Sequence, residues 1–253
     1  MLDDRKLLLL EERVQVLRRR RKDDDARKTY DEVFDEPTLL ALYKMISDRT
    51  IETVDYPVST GKEGNVFHAT TGKGGAALKI YRVSNATFRS LADYLRGDPR
   101  FKSMGRSFRE MIEGWAQKEY KNLVRMRDAG VRVPEGYAVH KHILLMEYVG
   151  DDSMPAPMIR EVALEDPATA YEDVVASMAA MRKTKLVHGD LSEYNLLWWD
   201  GHPWVIDCAQ AVPFDHPRSD EWFVRDVANV ARYFSRLGVD TDAKRLEARL
   251  RGG

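Results

Sequence analysis

The sequence predicts an α+β fold in two parts, an antiparallel strand-rich part followed by a mainly helical one. Three observations carry that expectation. Short strands between glycine turns fill residues 54–83, a long amphipathic helix covers 107–129, and a two-residue turn at Asp200-Gly201 makes a lone hairpin within later helical sequence. The 253 residues suffice for one two-part domain. The expected division is an N-terminal helical extension (1–48), a first part (49–149) with an insertion at 84–106, and a compact second part (150–253).

Composition excludes several function classes. Hydrophobic residues make up 43% and can build a core, while 32% charged residues solvate the surface. Lys and Arg total 40 against 41 Asp and Glu, so no globally basic coat for nucleic acid is present, though local patches are compatible with that balance. Cys208 is the single cysteine, which excludes an internal disulfide and fits a reducing cytoplasm. The run Leu7–Leu10 is too short for a transmembrane helix or a signal-peptide core. The expectation is a soluble, cytoplasmic protein with no membrane partner.

Residues 2–30 read as charged helix. The basic run at 18–22, followed by Asp23–Asp25, is either a solvated helix with local charge pairing or an arm for RNA or an acidic partner. Pro37 opens a short helix over 37–47, with Leu39, Leu40, Leu42 and Met45 on its apolar side. Strands follow at 54–58, 65–70 and 76–83, separated by turns at 59–64 and 72–75. The polar stretch 84–106, richer in basic than acidic side chains, reads as a mobile insertion. Phe108, Met111, Ile112, Trp115, Leu123 and Met126 recur at helical spacing, and Gly130 ends that helix. Residues 139–146 read as one buried strand. A proline-containing loop fills 150–167, and Asp166-Pro167 caps and starts a helix over 168–184. After the polar loop 188–194 comes the hairpin of 195–199 with 202–207, with Pro203 leaving its second strand an open edge. The tail reads as helices over 220–237 and 241–251.

The hairpin carries the first chemistry. A two-residue turn at 200–201 pairs Trp199 with His202, so Asn195 falls opposite Ile206 and beside Asp207. An amide oxygen and a carboxylate at one hairpin end form a hard, oxygen-only site suited to magnesium. A capped strand end would look the same locally. Upstream, His188-Gly189-Asp190-Leu191 places Asp190 where a carboxylate can accept the proton of an attacking hydroxyl or water, while Asn195 holds metal. His188 reads as a loop-packing residue.

Lys79 sits between Leu78 and Ile80 in a strand, and Glu119 interrupts the apolar stripe of the 107–129 helix. Either charge buried alone is costly, so the two are expected to pair and leave the ammonium for phosphate oxygens. Glu110 and Glu113 lie farther from the stripe. The turn Ser59-Thr60-Gly61-Lys62-Glu63-Gly64, with Val66 beyond it, partly matches a phosphate-covering glycine loop. Ser59 stands at the first glycine position and can offer hydroxyl and backbone donors, and Lys62 can add charge. Met146, Glu147 and Val149 follow a buried strand and read as a hinge. Its backbone would meet an adenine edge, with Met146 guarding the pocket.

Glycine loop, lysine strand, glutamate helix, hinge, and catalytic loop with metal hairpin occur here in the order of a two-lobed protein-kinase-like fold. The strings at 59–66 (Ser-Thr-Gly-Lys-Glu-Gly-Asn-Val), 187–195 (Val-His-Gly-Asp-Leu-Ser-Glu-Tyr-Asn) and 206–210 (Ile-Asp-Cys-Ala-Gln) resemble the RIO kinases, particularly their first subgroup. The string at 94–101 is similar to that subgroup's insertion. The resemblance implies an atypical serine protein kinase or ATPase with Asp190 as catalytic carboxylate. It implies Lys79 as phosphate-binding lysine, and Asn195 and Asp207 as ligands of magnesium, with manganese the alternative ion. It further implies autophosphorylation, with Asp207 as both ligand and phosphate acceptor, and ATP and a pre-ribosomal small-subunit particle (protein and rRNA) as partners. Gly189 stands where ordinary protein kinases carry an arginine, Cys208-Ala209 replace Phe-Gly, and only 46 residues follow Asp207, too few for the usual peptide-binding helices, so the second part (150–253) reads as a truncated lobe. Neither activation-loop control nor an extended peptide grip is therefore expected. His-Gly-Asp-Leu followed by Asn also resembles small-molecule phosphotransferases of the aminoglycoside and choline kinase type. Those usually carry a larger helical insert before the catalytic loop.

Overall fold

A computed structural model describes residues 2–14, 33–61, 64–83, 94, 98, 107–151 and 154–252. The basic run 18–22, Lys62 and most of the 84–106 segment lie outside the described residues. The chain divides into two compact units. One is built from residues up to 83, 107–120 and 136–148. The other is built from Tyr94, Asp98, 121–135 and the residues from Val149 onward.

The first unit begins with helix α1 (Asp4–Arg13), capped by Asp3, whose carboxylate accepts from the Lys6 N–H. Helix α2 (Glu36–Ser47) starts at Asp35, whose side chain accepts from Thr38, with Pro37 in the first turn, where its missing N–H costs nothing. Strands β1 (Thr53–Thr60), β2 (Gly64–Thr71) and β3 (Gly74–Tyr81) follow. Helix α3 (Phe108–Asp128) contributes 108–120 to this unit, and β4 (Gly136–His140) and β5 (Ile143–Glu147) complete it. The five strands pair antiparallel in the order β1-β2-β3-β5-β4.

Strand side chains alternate between faces, and this sheet uses the two faces differently. Phe67, Ala69, Ala76, Leu78, Ile80, Ile143 and Leu145 share one core with Leu10, Val14, Ala41, Leu42, Met45 and Ile46. The buried side of α2 is therefore rotated from the expected one: Leu39 and Leu40 are only half-buried, and Ala41 and Ile46 go in.

The 139–146 segment is not one strand. It is the tight hairpin of β4 and β5, turning at Lys141, which has a φ of 54°. No Gly, Asn or Asp marks the turn, and the apolar run hides it. The turn is tied down by His142, which is fully buried with Nε2 2.9 Å from Thr38 Oγ1. The Thr38 hydroxyl donates to Asp35 Oδ1 at 2.6 Å, so His142 is the donor to Thr38 and carries its proton on Nε2. Burial, with the nearby Arg109 charge, pushes the His142 pKa down from 6.5 to about 4. A base whose folded pKa lies below its unfolded one stabilises the fold above the unfolded value, and that contribution drains away as pH falls toward the folded one. Wild-type stability is therefore expected to drop by about 2 kcal/mol between pH 7 and pH 5 from this group. Denaturant melts of wild type and His142→Met should show a shallower fall in the variant.

The second unit holds the C-terminal end of α3, then helix α4 (Pro167–Lys183), whose cap Asp166 accepts from the Ala168 and Thr169 N–H groups. Strand β6 (Leu186–Val187) pairs with β9 (Val212–Pro213) across a loop that contains the hairpin β7 (Leu196–Trp199) and β8 (His202–Val205). Helices α5 (Ser219–Arg236) and α6 (Ala243–Gly252) close the unit. Trp222, Phe223, Val227, Val230 and Phe234 bury the inner stripe of α5. Among the described residues no helix is long and apolar enough to cross a membrane.

Candidate active site

In the first unit, the sheet face opposite the helical core carries polar chemistry. Register places Ser59, Val66, Lys79 and Leu144 in one row across β1, β2, β3 and β5. Lys79 Nζ donates to both Glu119 oxygens, at 3.0 and 2.8 Å, and lies 5.0 Å from the centre of the Tyr81 ring. Both partners are buried, Glu119 at 1% exposure and Lys79 at 8%. The glycine turn closes through Gly61 N–H to the Gly64 carbonyl at 2.9 Å. A Cβ at Gly64 would lie 2.8 Å from the Ile80 carbonyl, so only glycine lets β2 approach β3 there. Met146 pairs with Ala77, two residues along β3 from Lys79 and on the same face, and Glu147 pairs with Ala76.

Val149 belongs to the second unit. It is buried, and its carbonyl accepts the Ala156 N–H at 2.9 Å.

Around the hairpin the turn residues Asp200 and Gly201 have φ of 51° and 75°, and the ladder runs outward to Leu196 opposite Val205. The Ile206 N–H donates to the Asn195 carbonyl at 3.0 Å, which sets Asn195 beside Asp207. Asp207 itself is left-handed, with φ 58° and ψ 51°, a costly backbone for a non-glycine residue. The short 3-10 turn after it, Cys208–Gln210, is gripped by Asn122 of α3, whose amide donates to the Cys208 carbonyl at 2.7 Å and to the Ala211 carbonyl at 3.1 Å.

The loop before the hairpin is held just as closely. Asn195 Nδ2 donates to the Asp190 carbonyl at 2.8 Å and to Asp190 Oδ2 at 3.3 Å, which turns its Oδ1 away as the acceptor. His188 is buried and bonds the Ile206 carbonyl through Nε2 at 3.1 Å. Nε2 is therefore the protonated nitrogen, and Nδ1 accepts the Asp190 N–H at 3.3 Å. Asp226 of α5 reaches up from below. Its two oxygens accept the Gly189 and Leu191 N–H groups, each at 2.8 Å. Burial pushes the Asp226 carboxyl up to about 7 against those two bonds. Burial also raises the Asp190 carboxyl, and neighbouring Asp207 adds to the rise, while Arg225 and the Asn195 amide oppose it. Asp190, Asn195 and Asp207 thus lie together, as two carboxylates and an amide oxygen on one rigidly held loop and hairpin.

This loop, hairpin and paired lysine have clear relatives. A family model described as the RIO domain matches residues 65–246. The chain is 46% identical over 220 residues to the RIO-type serine/threonine-protein kinase Rio1 of Haloferax volcanii, covering 87% of this chain and 76% of that protein. The chain belongs to the RIO family of serine/threonine-protein kinases. Serine/threonine-protein kinase RIO1 of Caenorhabditis elegans is 39% identical over 218 residues, of which this RIO chain spans 43% of the length. Among solved structures, the Rio2 kinase-ADP/Mg2+-phosphoaspartate complex from Chaetomium thermophilum aligns with a TM-score of 0.63 at 26% identity, covering 82% of this chain and 64% of that one. The two-unit architecture is therefore the kinase-like fold of this family, and the RIO match decides between the two resemblances that the His-Gly-Asp-Leu string allows.

Two residues that hold the RIO loop, Asn122 and Asp226, carry no motif of their own. The signal that marks Glu119, a polar side chain in the middle of an apolar helix stripe, marks them as well. Asn122 follows Trp115 by seven positions, and Asp226 follows Trp222 by four.

Proposed function

We propose that this chain binds ATP with magnesium and transfers the γ-phosphoryl group, and that it acts on the maturing small ribosomal subunit in the cytoplasm. The observation that carries the phosphoryl-transfer reading is the joining of Asp190, Asn195 and Asp207 at one loop and hairpin end. The amide oxygen of Asn195 and the carboxylate of Asp207 are hard donors that fit magnesium, and few enough that water and phosphate would complete its shell. Bound there, the ion would neutralise phosphate charge. Lys79, fixed by Glu119, presents its ammonium to phosphate oxygens. Ser59, Lys62 and Val66 cover the nucleotide, and Met146, Glu147 and Val149 meet its base. Asp190 accepts the proton of an incoming hydroxyl or water.

Two fates for the phosphoryl group follow. It passes to a serine hydroxyl of a protein, or it passes to Asp207, whose carboxylate oxygen bonds phosphorus as the bond to the ADP oxygen breaks. Water then hydrolyses the acyl phosphate to return the carboxylate and release phosphate. The second route draws support from the phosphoaspartate named in the Chaetomium Rio2 complex. The ribosomal setting rests on the family resemblance. Incubation with γ-labelled ATP and magnesium tests the reading through where the label goes. Hydroxylamine-labile label on wild type, absent from Asp207→Asn, is expected. Label reaching neither protein nor free phosphate would refute phosphoryl transfer.

A further inference from the structure

The peptide joining Gly189 to Asp190 is held at both ends. Its N–H goes to His188 Nδ1 at 3.3 Å. Its carbonyl accepts from Arg225 Nη2 of α5 and from the Tyr94 hydroxyl at 3.4 Å. Arg225 Nη2 also donates to the Tyr94 hydroxyl, at 3.1 Å. Tyr94 is not a loose end: its ring stacks on buried Trp222 at 4.4 Å between centroids, and Trp222 in turn stacks on His216 at 4.8 Å. Gly189 has a φ of 82°, and a Cβ there would sit 3.3 Å from the Gln210 carbonyl and 3.5 Å from the Tyr94 ring. No side chain, and so no arginine, fits at 189 without strain.

We propose that Arg225 is a positioning residue for Asp190, supplying from α5 the guanidinium that the loop cannot carry at 189, with Tyr94 fixing the guanidinium in place. Arg225 and Asp226 form a two-residue grip. The carboxylate takes the N–H groups of 189 and 191, and the guanidinium takes the carbonyl between them. Tyr94 itself is thereby tied to the orientation of Asp190. The inference rests on the phosphoryl-transfer reading for its effect on rate, but the grip itself does not.

The test compares wild type with Arg225→Ala, Arg225→Lys and Tyr94→Phe in single-turnover phosphoryl transfer, ATP binding by calorimetry, and amide exchange at 189–191. Losing a charge-assisted bond that acts only on orientation should lower the turnover rate of Arg225→Ala about 10- to 100-fold. ATP affinity should stay within about twofold, because uniform binding is untouched. Lysine keeps the charge without the fork and should recover part of the rate. Tyr94→Phe keeps the stack on Trp222 but loses the hydroxyl, so about a threefold loss with an unchanged melting temperature is expected. Amide exchange at 189–191 should quicken in Arg225→Ala. An unchanged rate, or rate and affinity collapsing together without rescue by lysine, overturns the proposal. If wild type itself transfers no phosphate, the functional reading fails. The exchange measurement then still decides the grip, and unchanged exchange in Arg225→Ala refutes it.

Discussion

Glu119→Ala is expected to destabilise the first unit by about 3–5 kcal/mol. Removing the carboxylate leaves the Lys79 ammonium, at 8% exposure, without the two bonds it now makes. A buried charge that loses two of its bonds bears more of its desolvation cost. Glu119→Gln keeps one acceptor and should cost less. The paired change Lys79→Met with Glu119→Leu removes both charges, so it should regain most of the stability, because apolar packing replaces a buried ion pair at little net cost. Chemical denaturation separates the three. If the paired change is as unstable as Glu119→Ala, the ion pair is not what the alanine lost. The paired variant is also expected to be inactive however stable it is, which separates the role toward phosphate proposed for the lysine from its role in the fold.

Asp190→Asn is expected to do the opposite, gaining stability while losing activity. The Asp190 carboxyl is raised chiefly by burial, with Asp207 adding to it, so the folded protein holds this charge at a cost. A carboxyl raised by folding is better tolerated protonated. Its destabilising effect therefore appears as pH rises above the ordinary carboxylate range and is absent below it, where both folded and unfolded chains are protonated. Asparagine removes the charge and keeps an oxygen for the Asn195 amide, which now donates at 3.3 Å. A gain of about 2 °C in melting temperature at pH 7 is expected, vanishing below about pH 4. Turnover should fall about 10²–10⁴-fold if Asp190 is the proton acceptor proposed above. A melting temperature lower at pH 7 would contradict the account of how that site is strained.

Local chemistry made much of the fold legible. Asp200-Gly201 fixes the turn, the turn fixes the register, and the register sets Asn195 beside Asp207, because a strand ladder leaves no freedom once its turn is known. Asp166-Pro167 starts α4 for the same kind of reason. The β4–β5 hairpin was hidden because its turn, at Lys141, is imposed by the burial of His142 against Thr38, more than a hundred residues away in sequence. The rotation of α2 has a similar origin, since the sheet chooses which face goes in. At the site, Lys79 and Glu119 declared themselves as charges on apolar elements. Arg225 did not, because an arginine on the outer side of a helix looks like any solvated one. Only the fold brings the Gly189 carbonyl to it.

The most direct measurement of the central claim is ADP formation from ATP by the wild-type protein, with magnesium and with the metal chelated, beside Asp190→Asn at equal concentration. The account predicts turnover that requires magnesium and falls by about 10²–10⁴-fold in the variant. ADP formation indifferent to magnesium, or equal in wild type and Asp190→Asn, would contradict it.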